Sequence, residues 1–484
     1  MCSAYLRWRR PLDRADSTRA QSAHKVTAMN TLSQRIAAFT SVLDYENIPD
    51  NVQEKSKVSL LHNLGVAIAG QSLVATSVLR YVEALGEHGP TASARLLLSG
   101  RAATPDTAAF ANAALMHARA QDDVYFPGLT HVGAITTPAV LAVGEQLGSS
   151  GRDMLTALVA GYEAAGAISQ GFAKRTTARG FRASGIYGGF GAAVAVARLL
   201  RLDRDATANA IGIVASMAAG TNQTWVAGTQ EWQFQLGLAA RNGILAARLA
   251  AVGGTGAPDA LEGLAGFYAA FMGDRDQVAN VGKDLGTTWR SLDVTYKPFA
   301  VCAILQDPVT QAISLARQHD LKADNISAVR LTLSSAEAAY PGTDSTGPFS
   351  DTGATLMSAQ FCLSVALAQQ KVRGSDLKRF ADPSIQPLIQ RTKVLADGQL
   401  GARAFVLEID LTNGQTLRHA SHSAAEPFNW GRTQAMDNLR AMGDELPFGT
   451  AELDQLGETV LAAEHKTVAE IVSACVVGAQ GDAD

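Results

Sequence analysis

The chain has 484 residues, 47% of them hydrophobic and 18% charged, which is enough to bury a large core and build two or three domains. A net charge of -4 and a pI near 6.2, with scattered lysines and arginines, exclude the basic footprint of a nucleic-acid or anionic-membrane binder. Small molecules or protein partners remain. Cys2, Cys302, Cys362 and Cys475 lie far apart with no CxxC pair, which fits neither a disulfide framework nor a zinc ribbon and implies a reducing cytoplasm.

In chain order, residues 1–29 are Arg-rich and polar without an apolar h-region, so they read as a disordered tail and not as a secretory signal. No run of 18 uncharged apolar residues occurs, so no membrane span is expected. From Thr31 to Gly273 apolar residues recur at helical spacing, as in "VQEKSKVSLLHNLGVAIAG", "TPDTAAFANAALMHARAQ", "TTPAVLAVGEQLG" and "GRDMLTALVAGYEAAGAISQGFA". Thr104-Pro105-Asp106 and Asp203 to Asp205 supply helix starts. The texture changes near Asp293: "AVRLTLSS" and "RAFVLEIDLTNGQTLRHAS" alternate, and Asn413-Gly414 signals a hairpin. "SAQFCLSVALAQQKV" is helical, and helices return after Glu426. The expected fold is mainly α: a large all-helical bundle (30–292 and 427–478) with a smaller α+β lid domain (293–426) inserted before the C-terminal helices.

The stretch "RGFRASGIYGGFGAAVAVARLL" concentrates glycine before a helix. It matches neither GxGxxG after a strand nor GxxxxGK[ST], so nucleotide binding is not expected. Close helix packing accounts for Gly188 to Leu200. Lys174, Arg175, Arg179, Arg182 and Tyr187 sit just before that helix and read either as an anion-receiving end or as a solvated basic loop.

Two further patches carry chemistry. "MHARAQDDVYFPGLTHVGAITTPA" gathers His117, Asp122, Asp123, Tyr125, Thr130 and His131 between two helices. The spacing fits no standard metal-ligand pattern, so no metal is expected. His131 suits a general base with Asp123 orienting it, while His117 reads as a helix-edge residue and Asp122 as a cap. In "TYKPFAVCAILQDPV", Lys297 suits a carboxylate clamp and Cys302 a pocket wall; apolar neighbours make Cys302 a poor nucleophile.

These stretches, with "LLHNLGVAIAG", "GLAARNGILAARLAAVGGTGAPDALEGLAGFYAAF" and "SAQF", resemble the MmgE/PrpD family from about Thr31 to Ala474. Members include 2-methylcitrate dehydratases, cis-aconitate decarboxylases and iminodisuccinate epimerases. The resemblance implies a large helical domain, a smaller α+β lid and a homodimer. It also implies a small di- or tricarboxylate substrate, no cofactor, and proton handling next to a carboxylate.

The chain departs from the family pattern in four places. Arg182 stands where a histidine is implied, Trp232 and Gln235 where a lysine and a histidine are, and Ala120 where an acid is. His131 is kept, and no other histidine occurs before His319. The candidate proton-transfer residues are His131, Asp123, Tyr125 and Tyr187. The candidate substrate-binding residues are Arg182, Lys297, Arg175, Cys302 and Gln235. The expected activity is that of a cofactor-free lyase or isomerase, with a catalytically silent polycarboxylate- or protein-binding protein as the alternative.

Overall fold

Capping side chains start many of the helices. In the computed structural model, which describes residues 31–85, 91–421 and 428–477, α1 (Leu32–Thr40) opens on a capping box between Thr31 and Gln34. The expected tail, 1–29, and the expected lid boundary at 426 lie outside the described residues. α2 (Asp50–Ala69) is buried along most of its length, and α3 (Thr76–Leu85) is amphipathic. α4 (Pro105–His117) starts at Thr104 with Pro105 in its first turn, where a missing N–H costs nothing. α5 (Val132–Leu147) begins earlier than its polar-to-apolar switch suggests and holds Pro138 inside. No single described helix is long and apolar enough to cross a membrane.

The run expected as one helix after Gly151 is two: α6 (Gly151–Ser169) and α7 (Ala173–Ala178), separated at Gly171, whose φ of +82° no helix accepts. α8 (Ala183–Leu199) is the centre of the bundle and packs on α5, α6, α9 (Arg204–Ala215) and, beyond the short α10 (Gln223–Ala227), on α11 (Glu231–Ala251). Its glycines allow this. A Cβ on Gly188 would lie 2.1 Å from the Ile135 side chain, and one on Gly191 2.8 Å from Thr136 Oγ1. The glycine cluster is therefore a helix-packing device.

After α12 (Phe267–Met272) the chain enters a second texture. Earlier in the chain, β1 (Ala94–Arg95) and β2 (Ala102–Ala103), between α3 and α4, form one small ladder, and β3 (Val124–Tyr125), between α4 and α5, pairs antiparallel with β4 (Val294–Thr295) in another. The latter ladder joins two segments 170 residues apart and sets Lys297 beside the loop before β3. Then follow α13 (Gln306–Gln318), β5 (Ile326–Ser334), α14 (Ser335–Ala338), α15 (Thr352–Met357), α16 (Ala359–Gln369) and α17 (Gln386–Arg391). β6 (Thr392–Asp397), β7 (Phe405–Leu411) and β8 (Thr416–Ser421) complete a four-stranded sheet of order β6-β5-β7-β8.

The β7–β8 hairpin turns at Asn413-Gly414, with Gly414 at φ +90°, a left-handed conformation suited to glycine. β6 is parallel to β5, a pairing that no local sequence signal announces. The closing helices α18 (Arg432–Met442) and α19 (Thr450–Leu461) pack on α2, and α20 (Val468–Ser473) packs on α5.

Candidate active site

Three chain segments meet where α4 ends and α5 and α8 begin. His131 caps α5, and its backbone N–H donates to Ser184 Oγ in the first turn of α8 at 3.1 Å. Arg182 caps α8, with its own N–H on the Gly220 carbonyl. Lys297 follows β4 and donates to the carbonyl of Ala120, which sits at φ +48°.

The centre of the cluster is Asp122, which is fully buried. Its Oδ1 lies 2.7 Å from His117 Nδ1 and its Oδ2 2.8 Å from His131 Nδ1, so one carboxylate orients two imidazoles. The rings stand edge to face, 4.7 Å apart. Burial pushes His117 down to about 3. Burial first, then Lys297, also lowers His131. Burial opposes ionisation of Asp122, but the two histidines and Lys297 hold its carboxyl well below the usual range. At neutral pH the set is one carboxylate and two neutral imidazoles, each with its proton on Nδ1.

The two histidines differ at Nε2. That of His117 lies 2.6 Å from Arg182 Nη2. No described protein group bonds that of His131, whose side chain is 17% exposed while His117's is 1%. Arg182 also donates through Nη1 to the Trp232 carbonyl and, at 3.3 Å, to Gln235 Oε1, and its guanidinium stacks 4.9 Å from the Trp225 ring. Lys297 Nζ lies 3.4 Å from His131 Nδ1. Burial lowers the pKa of both cations, Arg182 to about 10, which leaves the guanidinium charged.

Neither cation has a carboxylate within ion-pair distance among the described residues, though Arg182 is 4% and Lys297 1% exposed. His117, Asp122 and His131 are also the side chains that could gather around a metal ion. Cationic Arg182 against one histidine and Lys297 against the other oppose that and suit an anion instead.

The structure thus brings together His131, Arg182, Lys297 and Gln235, with Cys302 near Lys297. Burial pushes the Cys302 thiol up to about 11. Four expected residues lie elsewhere. Asp123 does not orient His131: Asp122, one residue earlier in the turn that leads into β3, takes that place. Asp123 instead accepts from Asn63 Nδ2, Tyr162 Oη and the Gly133 N–H, and burial lifts it to about 6.

The Tyr125 hydroxyl is buried without a hydrogen-bond partner among the described residues, and burial pushes its pKa up. Tyr187 lies in a separate apolar cluster, 3.3 Å from Thr176 Oγ1 and edge-on to Phe267. Arg175 pairs with Asp274 at the surface. His117, expected at a helix edge, and Asp122, expected as a cap, are both inside the cluster. The five-residue spacing from His117 to Asp122, bridging a helix end and a reversing turn at Ala120, is the signal that finds them.

Comparison with known proteins identifies the family. Residues 34–279 match the MmgE/PrpD N-terminal domain and 299–440 the MmgE/PrpD C-terminal domain. A cis-aconitate decarboxylase of Aspergillus terreus (strain NIH 2624 / FGSC A1156) is 27% identical over 378 residues, covering 74% of this chain and 76% of the relative. The cis-aconitate decarboxylases of Homo sapiens (27% over 279 residues, 56% of each chain) and Mus musculus (26% over 262 residues, 50% of this chain and 51% of the relative) are also similar. With both domains matched in order over more than half its length, the chain belongs to the MmgE/PrpD family.

Proposed function

We propose that this protein is a lyase or isomerase acting on a small di- or tricarboxylate by moving a proton on the carbon next to a carboxylate, with His131 Nε2 as the transferring atom. One observation carries the reading: in one cluster, buried Lys297 beside His131 and buried Arg182 beside His117 have no carboxylate in ion-pair distance among the described residues, and the outer nitrogen of His131 has no bond to a described protein group. Burying a charge unpaired is costly, and a substrate carboxylate supplies the missing partner.

Asp122 accepts a hydrogen bond from the His131 Nδ1–H, so the Nε2 lone pair is left free, the form of a general base. It removes a proton from the substrate carbon, Arg182 and Lys297 hold the carboxylates and the enolate charge that develops, and the imidazolium, stabilised by Asp122, returns the proton at the product position. Return to the same carbon from the same face gives exchange only. Return elsewhere gives an isomer, and departure of a β substituent gives an unsaturated acid.

The relatives favour a second route through the same groups: carbon dioxide leaves from one carboxylate, and the electron pair left on carbon takes a proton from His131. That route needs the imidazolium first, and a bound polyanion offsetting Lys297 favours it. The groups acting are side chains, with no cofactor invoked; the homodimer implied by the family and the cytoplasmic setting inferred from the scattered cysteines belong to the same reading.

Incubation with cis-aconitate in D₂O, followed by proton NMR, tests it. Loss of substrate, a new olefinic product or deuterium incorporation next to a carboxylate is expected. Saturable binding with none of these supports a silent binding protein instead.

A further inference from the structure

We propose that His117 is a positioning residue for Arg182: its Nε2 lone pair anchors the guanidinium, and Asp122 keeps the ring in the tautomer that leaves this lone pair available. The inference rests on reading Arg182 as a substrate clamp. An arginine side chain has several rotatable bonds, and once buried without a carboxylate partner it takes its orientation from whatever acceptors surround it. Around Arg182 there are three: the Trp232 carbonyl and Gln235 Oε1 on Nη1, and His117 Nε2 on Nη2 at 2.6 Å.

The first two both come from α11. His117, at the end of α4, is the only one of the three that also touches Asp122. An imidazolium would place N–H against N–H at this contact, so the ring must be neutral with its proton on Nδ1. Asp122 Oδ1, 2.7 Å from that nitrogen, enforces this. The Trp232 ring, centred 5.1 Å from that of His117, fixes the imidazole plane from the other side. The Arg182 Nε–H and second Nη2–H have no bond to described protein groups, which leaves an edge of the fork for a carboxylate.

One carboxylate thus serves two imidazoles with different tasks. Through Oδ2 it aims the reactive Nε2 of His131, and through Oδ1 it spends the Nε2 of His117 on holding the clamp. His117 does not itself transfer a proton.

The test compares His117→Asn with His117→Gln. The asparagine amide reaches the Nδ1 position and leaves Arg182 without its acceptor; the glutamine amide reaches the Nε2 position and restores one. The readouts are calorimetric binding of tricarballylate, a saturated tricarboxylate, and KM and kcat on cis-aconitate. Expected are binding and KM at least about tenfold weaker for H117N with kcat within about threefold, and recovery toward wild type in H117Q.

Equal binding by H117N and wild type overturns the proposal, as does equal weakening by both variants. A hundredfold loss of kcat at unchanged KM in both assigns His117 a proton-transfer role instead and also overturns it. Should H117N fail to fold, or should the wild-type protein bind no polycarboxylate and so refute the substrate reading, ¹⁵N-histidine NMR of the wild type still decides. A neutral His117 ring with Nδ1–H and an Nε2 that shifts on Arg182→Lys supports the contact, and an Nε2–H tautomer or imidazolium contradicts it.

Discussion

Replacing Lys297 with methionine separates what the buried ammonium does for substrate from what it does for the fold. Methionine keeps the length and apolar character of the stem and removes only the charge and its donors. The fold loses the bond to the Ala120 carbonyl, a cost of about 1–3 kcal/mol with the carbonyl left unpaired. It gains relief from holding a 1% exposed cation without a carboxylate partner, a burden of several kcal/mol. The expected result is a melting temperature equal to or above that of the wild type.

Binding moves the other way. Loss of one partner of a buried charge pair costs about 2–5 kcal/mol, so tricarballylate affinity should fall about 30-fold or more. Lys297 also disfavours the imidazolium of His131, so the acid limb of the pH–rate profile should move upward in K297M. Differential scanning fluorimetry, calorimetry and a pH profile read the three effects. A melting temperature several degrees lower with unchanged affinity would refute the reasoning, since Lys297 would then be a tie for the reversed turn at Ala120 and nothing more.

Other outcomes follow from the same geometry. His131→Gln should bind tricarballylate within a few-fold of wild type yet lose about 10²- to 10⁴-fold in kcat. In the wild-type enzyme, if proton abstraction comes first, kcat/KM should rise with pH and level off with an apparent pKa below the 6.5 of free imidazole, because burial and Lys297 keep His131 neutral; a limb above 7 contradicts this. Asp123→Asn should cost about 2–3 kcal/mol, read by denaturant unfolding, because an amide N–H₂ would then face either the Gly133 N–H at the Oδ1 position or both Asn63 Nδ2 and Tyr162 Oη at the Oδ2 position; an unchanged midpoint contradicts the network. Cys302 should resist iodoacetamide at pH 7.5, since burial raises its thiol to about 11, and rapid labelling tracked by mass spectrometry would contradict that.

Much of the helical half was legible because its signals are local. Thr104 and Asp203 cap helices α4 and α9, and Asn413-Gly414 turns the β7–β8 hairpin where alternation breaks. β6 was not legible, because a parallel pairing with β5 across some 60 residues leaves no short-range mark. The site divides in the same way. His131, Arg182 and Lys297 stand out as chemistry-bearing residues in suggestive loops.

Which of two adjacent aspartates faces them depends on how the turn into β3 is seated by the pairing of β3 with β4, a contact between residues 124 and 295. The place of His117 depends on α8 bringing Arg182 to it. Tyr187 fails for a related reason: it lies on the part of α8 that packs into the apolar cluster with Phe267, several residues past the helix start that points Arg182 inward.

The central claim is that His131 moves a proton on the carbon beside a carboxylate held by Arg182 and Lys297. The most direct measurement is proton NMR of wild-type and H131Q protein with cis-aconitate in D₂O. The account predicts product or deuterium at that carbon with the wild type and none with the variant. Equal turnover by both would contradict it.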